Sequence, residues 1–156
     1  MPTVYLPPKK VTLTGLVESL GEADAFGGSW DGFVVQVQKD SFIEVDAMAF
    51  LCAWGKGCIE DGRRLLLRGD DDTLRYLARM DLHEHLGVDY DPGARQDETG
   101  RFLPLKLISS GDDVYEATNA ICELILNQFD EATTFLPALE WAVNEIIDNI
   151  MIHSET

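Results

Sequence analysis

The spacing of apolar and polar positions changes several times along the chain, and each change marks an element. Residues 4–6 form a short extended stretch, which Pro7-Pro8 breaks. Thr14 is expected to cap a short helix over residues 16–20, with Gly21 close to its end. Gly27-Gly28-Ser29 and Asp31-Gly32 predict turns, and residues 33–37 then predict a strand with one face buried. A second β-like piece follows at 42–45. Asp46 is expected to cap the next helix, because its carboxylate can accept the unpaired backbone N–H groups of a first turn. Met48, Phe50, Leu51, Trp54, Cys58 and Ile59 recur at spacings of a largely buried helix that closes at Gly62. The apolar run at 64–68 predicts a buried strand. A helix capped by Asp71 or Asp72 comes after it, with Leu74, Leu77, Ala78 and Met80 packing down, and 81–88 is a short helical turn leading out.

Residues 89–100 combine Pro92, two glycines and many polar groups, which makes them the strongest linker or exposed-loop candidate. The stretch 101–108 is expected to be extended, and Pro104 makes it an edge strand, where a missing N–H is tolerated. Two helices are predicted at 112–129 and 134–153. Pro137 falls in the first turn of the second, where its lost N–H costs little. Leu139, Val143, Ile146, Ile147 and Ile150 give that helix an apolar stripe. Strand and helix alternate over roughly the first ninety residues, the pattern of an α/β sheet layered with helices. The organisation read from this is a first domain at 1–92, a linker with edge strand at 93–110, and a helical pair from 111 to 156.

Composition narrows the function classes. With 46% apolar and 26% charged residues the chain is ordinary globular material. No apolar run is long enough to span a bilayer, and no amino-terminal segment has the pattern of a secretion signal. A cytoplasmic location is expected. Twelve basic residues against 28 acids leave a formal charge of -16, a field that repels nucleic acid and anionic lipid, so neither is an expected partner. Cys52, Cys58 and Cys122 lack metal-type spacing and read as reduced, mostly buried thiols. His83 and His85 lie two apart, which points them in different directions on a helix, so a metal site there is not expected.

The run Phe42-Ile43-Glu44-Val45-Asp46-Ala47-Met48-Ala49-Phe50-Leu51 resembles the centre of a STAS domain, the fold of bacterial anti-sigma-factor antagonists. Gly62, the strand at 64–68, residues 74–78 and Met80-Asp81-Leu82 through Leu86 follow the order of that family, so the resemblance covers roughly residues 30–90. It implies a STAS-like mixed sheet layered with helices, acting as a binding or scaffolding unit in signal transduction. In that family a serine at the start of the helix is phosphorylated by a partner kinase. The matching position here is Val45, which has no hydroxyl, so the usual phospho-switch cannot operate there. The flanking Glu44 and Asp46 could supply a fixed negative charge in its place, although helix capping by Asp46 is the plainer role.

On the last helix, Glu145, Asn149 and His153 recur every four residues and so share one side. The string Glu145-Ile146-Ile147-Asp148-Asn149-Ile150-Met151-Ile152-His153-Ser154 resembles the N-box of GHKL ATPases, the group that includes histidine-kinase catalytic domains, anti-sigma-factor kinases and type II topoisomerases. The resemblance implies Asn149 as the ligand to Mg²⁺, with Glu145 polarising or deprotonating the attacking water or hydroxyl, and Asp148 and His153 lining the nucleotide pocket. A wet face of an ordinary amphipathic helix would also carry such residues.

The GHKL family also needs a later Asp-x-Gly motif and glycine-rich loops, and neither follows Ser154 within residues 1–156. The expectation is therefore a regulatory fragment, a STAS-like interaction module joined to an incomplete ATP-binding domain. By itself it would need no cofactor and turn over no ATP, whereas MgATP would be the cofactor of a complete parent protein. The competing reading is the front part of an active GHKL ATPase or serine-kinase-like anti-sigma regulator. Expected partners are proteins, including a regulator of the sigma-factor type. The two last helices should pack on the first domain or form a homodimer.

Overall fold

The computed structural model describes residues 1–91, 93, 101–129 and 134–154, and the protein is a mixed α/β chain. Its elements run β1 (Thr3–Tyr5), β2 (Lys10–Val11), α1 (Leu13–Glu22), β3 (Gly32–Gln36), β4 (Phe42–Ile43), α2 (Val45–Glu60), β5 (Arg64–Arg68), α3 (Asp71–Arg79), α4 (Leu82–His85), α5 (Gly111–Gln128) and α6 (Leu136–Ser154). The chain divides into two compact units, Met1–Arg95 and Gln96–Thr156. Much of the linker expected at 89–100 lies outside the described residues. Among those described, no helix is long and apolar enough to cross a membrane.

The first unit is built on a parallel sheet of order β1-β3-β5, with Val4 opposite Val35 and Val35 opposite Leu67. The strands predicted at 33–37 and 64–68 are thus direct neighbours. Parallel neighbours require crossover connections, and α1 and α2 supply them. α1 packs on β1 and on α2, while α2 packs on β5 and α4. The strand alternation turns Val4, Phe33 and Val35 inward, where they meet Leu16 and Leu20 of α1 and Met48 and Leu51 of α2, all fully buried. The opposite set includes Tyr5, Arg64, Leu66 and Arg68, which are exposed. The two-residue strands β2 and β4 form a separate parallel ladder. The sequence pattern shows no strand at β2, because two residues are too few to display a period.

Three helix starts differ from expectation: at α1 and α3 a neighbouring side chain takes the cap, and at α2 no side chain does. α1 is capped by Thr12 and not by Thr14: Thr12 is extended (φ -87°, ψ 164°) and its hydroxyl accepts the Gly15 N–H at 3.1 Å. α2 begins at Val45, which puts Glu44 at the cap and Asp46 inside the first turn. Neither makes the expected side-chain cap, and Asp46 Oδ1 instead accepts the adjacent Ala47 N–H at 2.8 Å. Asp70, not Asp71 or Asp72, caps α3. One of its carboxylate oxygens accepts the Asp72 and Thr73 N–H groups, and the other accepts the Thr73 hydroxyl at 2.8 Å. These bonds hold the Asp70 carboxyl below its ordinary pKa, and leave Asp71 and Asp72 in the first turn, where the helix dipole favours them.

In the second unit, Ser110 caps α5 by accepting the Asp113 N–H at 3.2 Å. Asp113 reciprocates, its Oδ2 accepting from the hydroxyls of Ser109 and Ser110 and from the Ser109 N–H. Hydrogen bonds from Ser110 and Ser109 to this one carboxylate lower its pKa to about 2. Residues 102–109 form no strand, contrary to the edge strand expected at 101–108. Their backbone meets no ladder among the described residues, and Lys106 pairs with Glu116 of α5 instead, at 2.6 Å. Pro137 sits at the second position of α6, within its first turn.

Candidate functional site

Two places carry the residues singled out by sequence, and each lies within its own unit. The first is the start of α2. Val45 is its first residue and is 66% exposed, and Phe42, on the strand just before it, is 54% exposed. Phe42 is held by Tyr76 of α3, with stacked rings 5.9 Å apart, and the Tyr76 hydroxyl donates to the Ile43 carbonyl at 3.3 Å. That bond makes Tyr76 a brace between α3 and β4, and burial of the phenol pushes its pKa up. The Glu44 N–H is taken by the Val11 carbonyl at 3.0 Å. Its carboxylate pairs with Lys10 at 2.6 Å, so the fixed charge at this end of α2 comes down to Asp46. The surface around the helix start is therefore more apolar than the sequence suggests.

The second place is α6. Asn144 lies between α5 and α6, where its side-chain carbonyl accepts the Thr118 hydroxyl at 2.8 Å. Thr118 is buried, and one turn either way Val114 and Cys122 bury the same stripe of α5. Ile147 turns inward on α6. At 3.6 residues per turn, Glu145 and Asn149 each stand about 200° around the helix from Ile147. Both are exposed, as are Asp148 and His153. Glu145 and Asn149 are thus one turn apart, separated by a rise of about 6 Å, on the side of α6 away from α5.

The apolar stripe expected on α6 divides in two. Ile147 is buried and Val143 is half-buried, whereas Ile146 and Ile150 are exposed, as is Trp141. The Thr118–Asn144 bond was not anticipated from the sequence. Its signal was present as a polar residue in the middle of an every-fourth-residue apolar series, a pattern that calls for a polar partner on the facing helix.

His83, set aside as a metal ligand, is a core residue of the first unit. It is buried, its ring stacks on Tyr90 at 4.6 Å, and its Nδ1 has no hydrogen-bond partner among the described residues. Burial lowers its pKa, against a smaller upward pull from the Leu77 carbonyl. The three thiols are unpaired, with Cys58 and Cys122 buried and Cys52 partly so, and burial raises the pKa of each. They are neutral side chains at neutral pH. Comparison with family models, with curated proteins and with solved structures finds no match to this chain.

Proposed function

We propose that this chain is a regulatory protein segment in which a STAS-like binding module, residues 1–92, precedes the opening helices of a GHKL-type ATP-binding domain. The observation that carries the reading is the arrangement of α6. Its inward residues Asn144 and Ile147 anchor it to α5, while Glu145, Asp148, Asn149 and His153 are all presented to solvent. A neutral amide oxygen and a carboxylate one turn apart suit Mg²⁺ held mainly by triphosphate oxygens, with the carboxylate directing the attacking oxygen. Exposed Ile146 and Ile150 support the same reading, since a helix with apolar groups on two sides suits a position between α5 and a further layer. That layer belongs to the same domain or to a second copy.

In the first unit, the exposed Phe42 and Val45 at the start of α2 support a protein-binding role without a phosphorylated hydroxyl. The partner is a protein, of the sigma-factor-regulator type in the family that the sequence resembles, and the setting is bacterial signal transduction in the cytoplasm. In this reading, ATP turnover requires an Asp-x-Gly element beyond α6.

Nucleotide binding separates the outcomes. Titration of MgATP into residues 1–156 gives no phosphate release. In the protein encoded by the complete reading frame, Mg²⁺-dependent nucleotide binding is lost in Asn149→Ala, and turnover is lost in Glu145→Ala. Turnover by residues 1–156 alone, or Asn149→Ala and Glu145→Ala variants indistinguishable from the parent, would remove the nucleotide reading.

A further inference from the structure

A shallow depression of about 310 Å³ opens where the chain leaves α1 and where α2 ends. Two aromatic rings line it. Phe26, just beyond α1, is 56% exposed, an unfavourable state for a phenyl ring in water. Trp54 packs against the buried Phe33, whose ring centroid lies 5.3 Å away at a tilt of 59°. Gly57 also lines it and leaves open space: a Cβ there would meet no atom within 4 Å. The buried Cys58 also lines the depression and adds polarisable sulfur without charge, because burial favours its thiol form.

Among the charged residues that line the depression, Glu60 and Asp61 outnumber Arg63. Arg63 is occupied by Asp61, Nη2 to Oδ2 at 2.8 Å. Glu60 has no ion pair among the described residues and stands in the last turn of α2, which contains no basic residue. The C-terminal end of a helix carries about half a negative charge, so Glu60 reinforces the helix dipole where a lysine or arginine would offset it. A carboxylate, the C-terminal end of a helix and two aromatic side chains therefore line one cavity. An inorganic anion is repelled here, and a hard metal ion would find too few oxygen ligands. A cation with an apolar surface satisfies both the rings and the charge.

We propose that this depression is a binding site for a small organic cation of the quaternary-ammonium class, its methyl groups against Phe26 and Trp54 and its charge balanced by Glu60. The site shares no residue with the α6 constellation and stands or falls separately from the nucleotide reading. Choline and 3,3-dimethylbutan-1-ol are suitable probes, because they have the same shape and differ in charge. Each is titrated into the 156-residue protein while the Trp54 indole N–H is followed by NMR. Choline gives a saturable shift, and the neutral alcohol binds about tenfold more weakly or not at all. Phe26→Ala and Glu60→Gln, both at exposed positions that leave the fold intact, each weaken choline binding by about 3- to 10-fold. The proposal is overturned if the alcohol binds as well as choline, if choline produces no saturable shift, or if either variant binds choline like the parent.

Discussion

Residues 1–91 and the helix pair at 101–154 treat their apolar side chains in opposite ways. Phe33, Leu16, Leu20, Ile43, Met48, Leu51, Leu77 and Leu82, all in the first region, lose essentially all contact with water. In the helix pair the buried apolar side chains are Val114, Cys122 and Ile147, each with some residual exposure, while Tyr115, Phe129, Trp141, Ile146, Ile150 and Ile152 are mostly in solvent. A sheet with helices layered on it can close a core, because strands and helices contribute residues from three directions. Two packed helices offer each other one stripe apiece, and whatever lies around the rest of each cylinder needs a third element. The first region thus closes a core, and the second leaves most of its large apolar side chains uncovered.

Core truncation should expose this difference most sharply. Leu51→Ala in α2 is expected to cost about 2–5 kcal/mol, from lost transfer energy plus the cavity left behind. The same truncation at Ile146 in α6 should stay within about 0.5 kcal/mol. Urea unfolding of the 156-residue protein, followed by circular dichroism, measures both. Equal costs at the two positions would mean that α6 is buried after all.

The helix pair has one specific polar tie, and it gives the next largest effect. Thr118→Val keeps the shape but strands the Asn144 carboxamide without its donor, for an expected loss of about 1–3 kcal/mol in the stability of the α5–α6 unit. Adding Asn144→Leu should recover most of it, since replacing both partners with apolar groups removes the unsatisfied amide. A double variant no better than the single one would show that the tie is not what the amide contributes.

The smallest effect lies in the first unit and depends on pH. His83 has a folded pKa below its ordinary 6.5 because it is buried. Between those two values the unfolded chain holds more protons than the folded one, so stability rises with pH through that window. The contribution is complete above pH 6.5 and is lost as pH falls toward the folded value. The unfolding midpoint should drop on mild acidification in the parent and drop less in His83→Gln. Equal slopes in the two proteins would place the His83 ring in water.

Much of this architecture was legible in the sequence because it repeats locally. The strands around Phe33 and Leu66 announce themselves by short apolar runs between turn residues, and the helices around Leu51, Val114 and Ile147 by their three- and four-residue spacing. The choice of cap residue was less legible. Thr12, Thr14, Glu44, Asp46, Asp70, Asp71 and Asp72 all have side chains that could accept an N–H, and the residue that does so depends on which one adopts extended backbone next to the first turn. The segment at 101–108 has strand-like composition, but a strand exists only when a second strand lies alongside it.

The order of residues by itself determined where the helices run and that Glu145 and Asn149 share one side of α6, since a fixed pitch converts spacing into direction. Tertiary structure alone decided which side of each helix is covered. It turned Ile147 inward and Ile146 outward, neutralised Glu44 with Lys10, buried His83, and gathered Phe26, Trp54 and Glu60 around one cavity. Those outcomes depend on contacts between distant parts of the chain, and local periodicity carries no information about which distant surface will arrive.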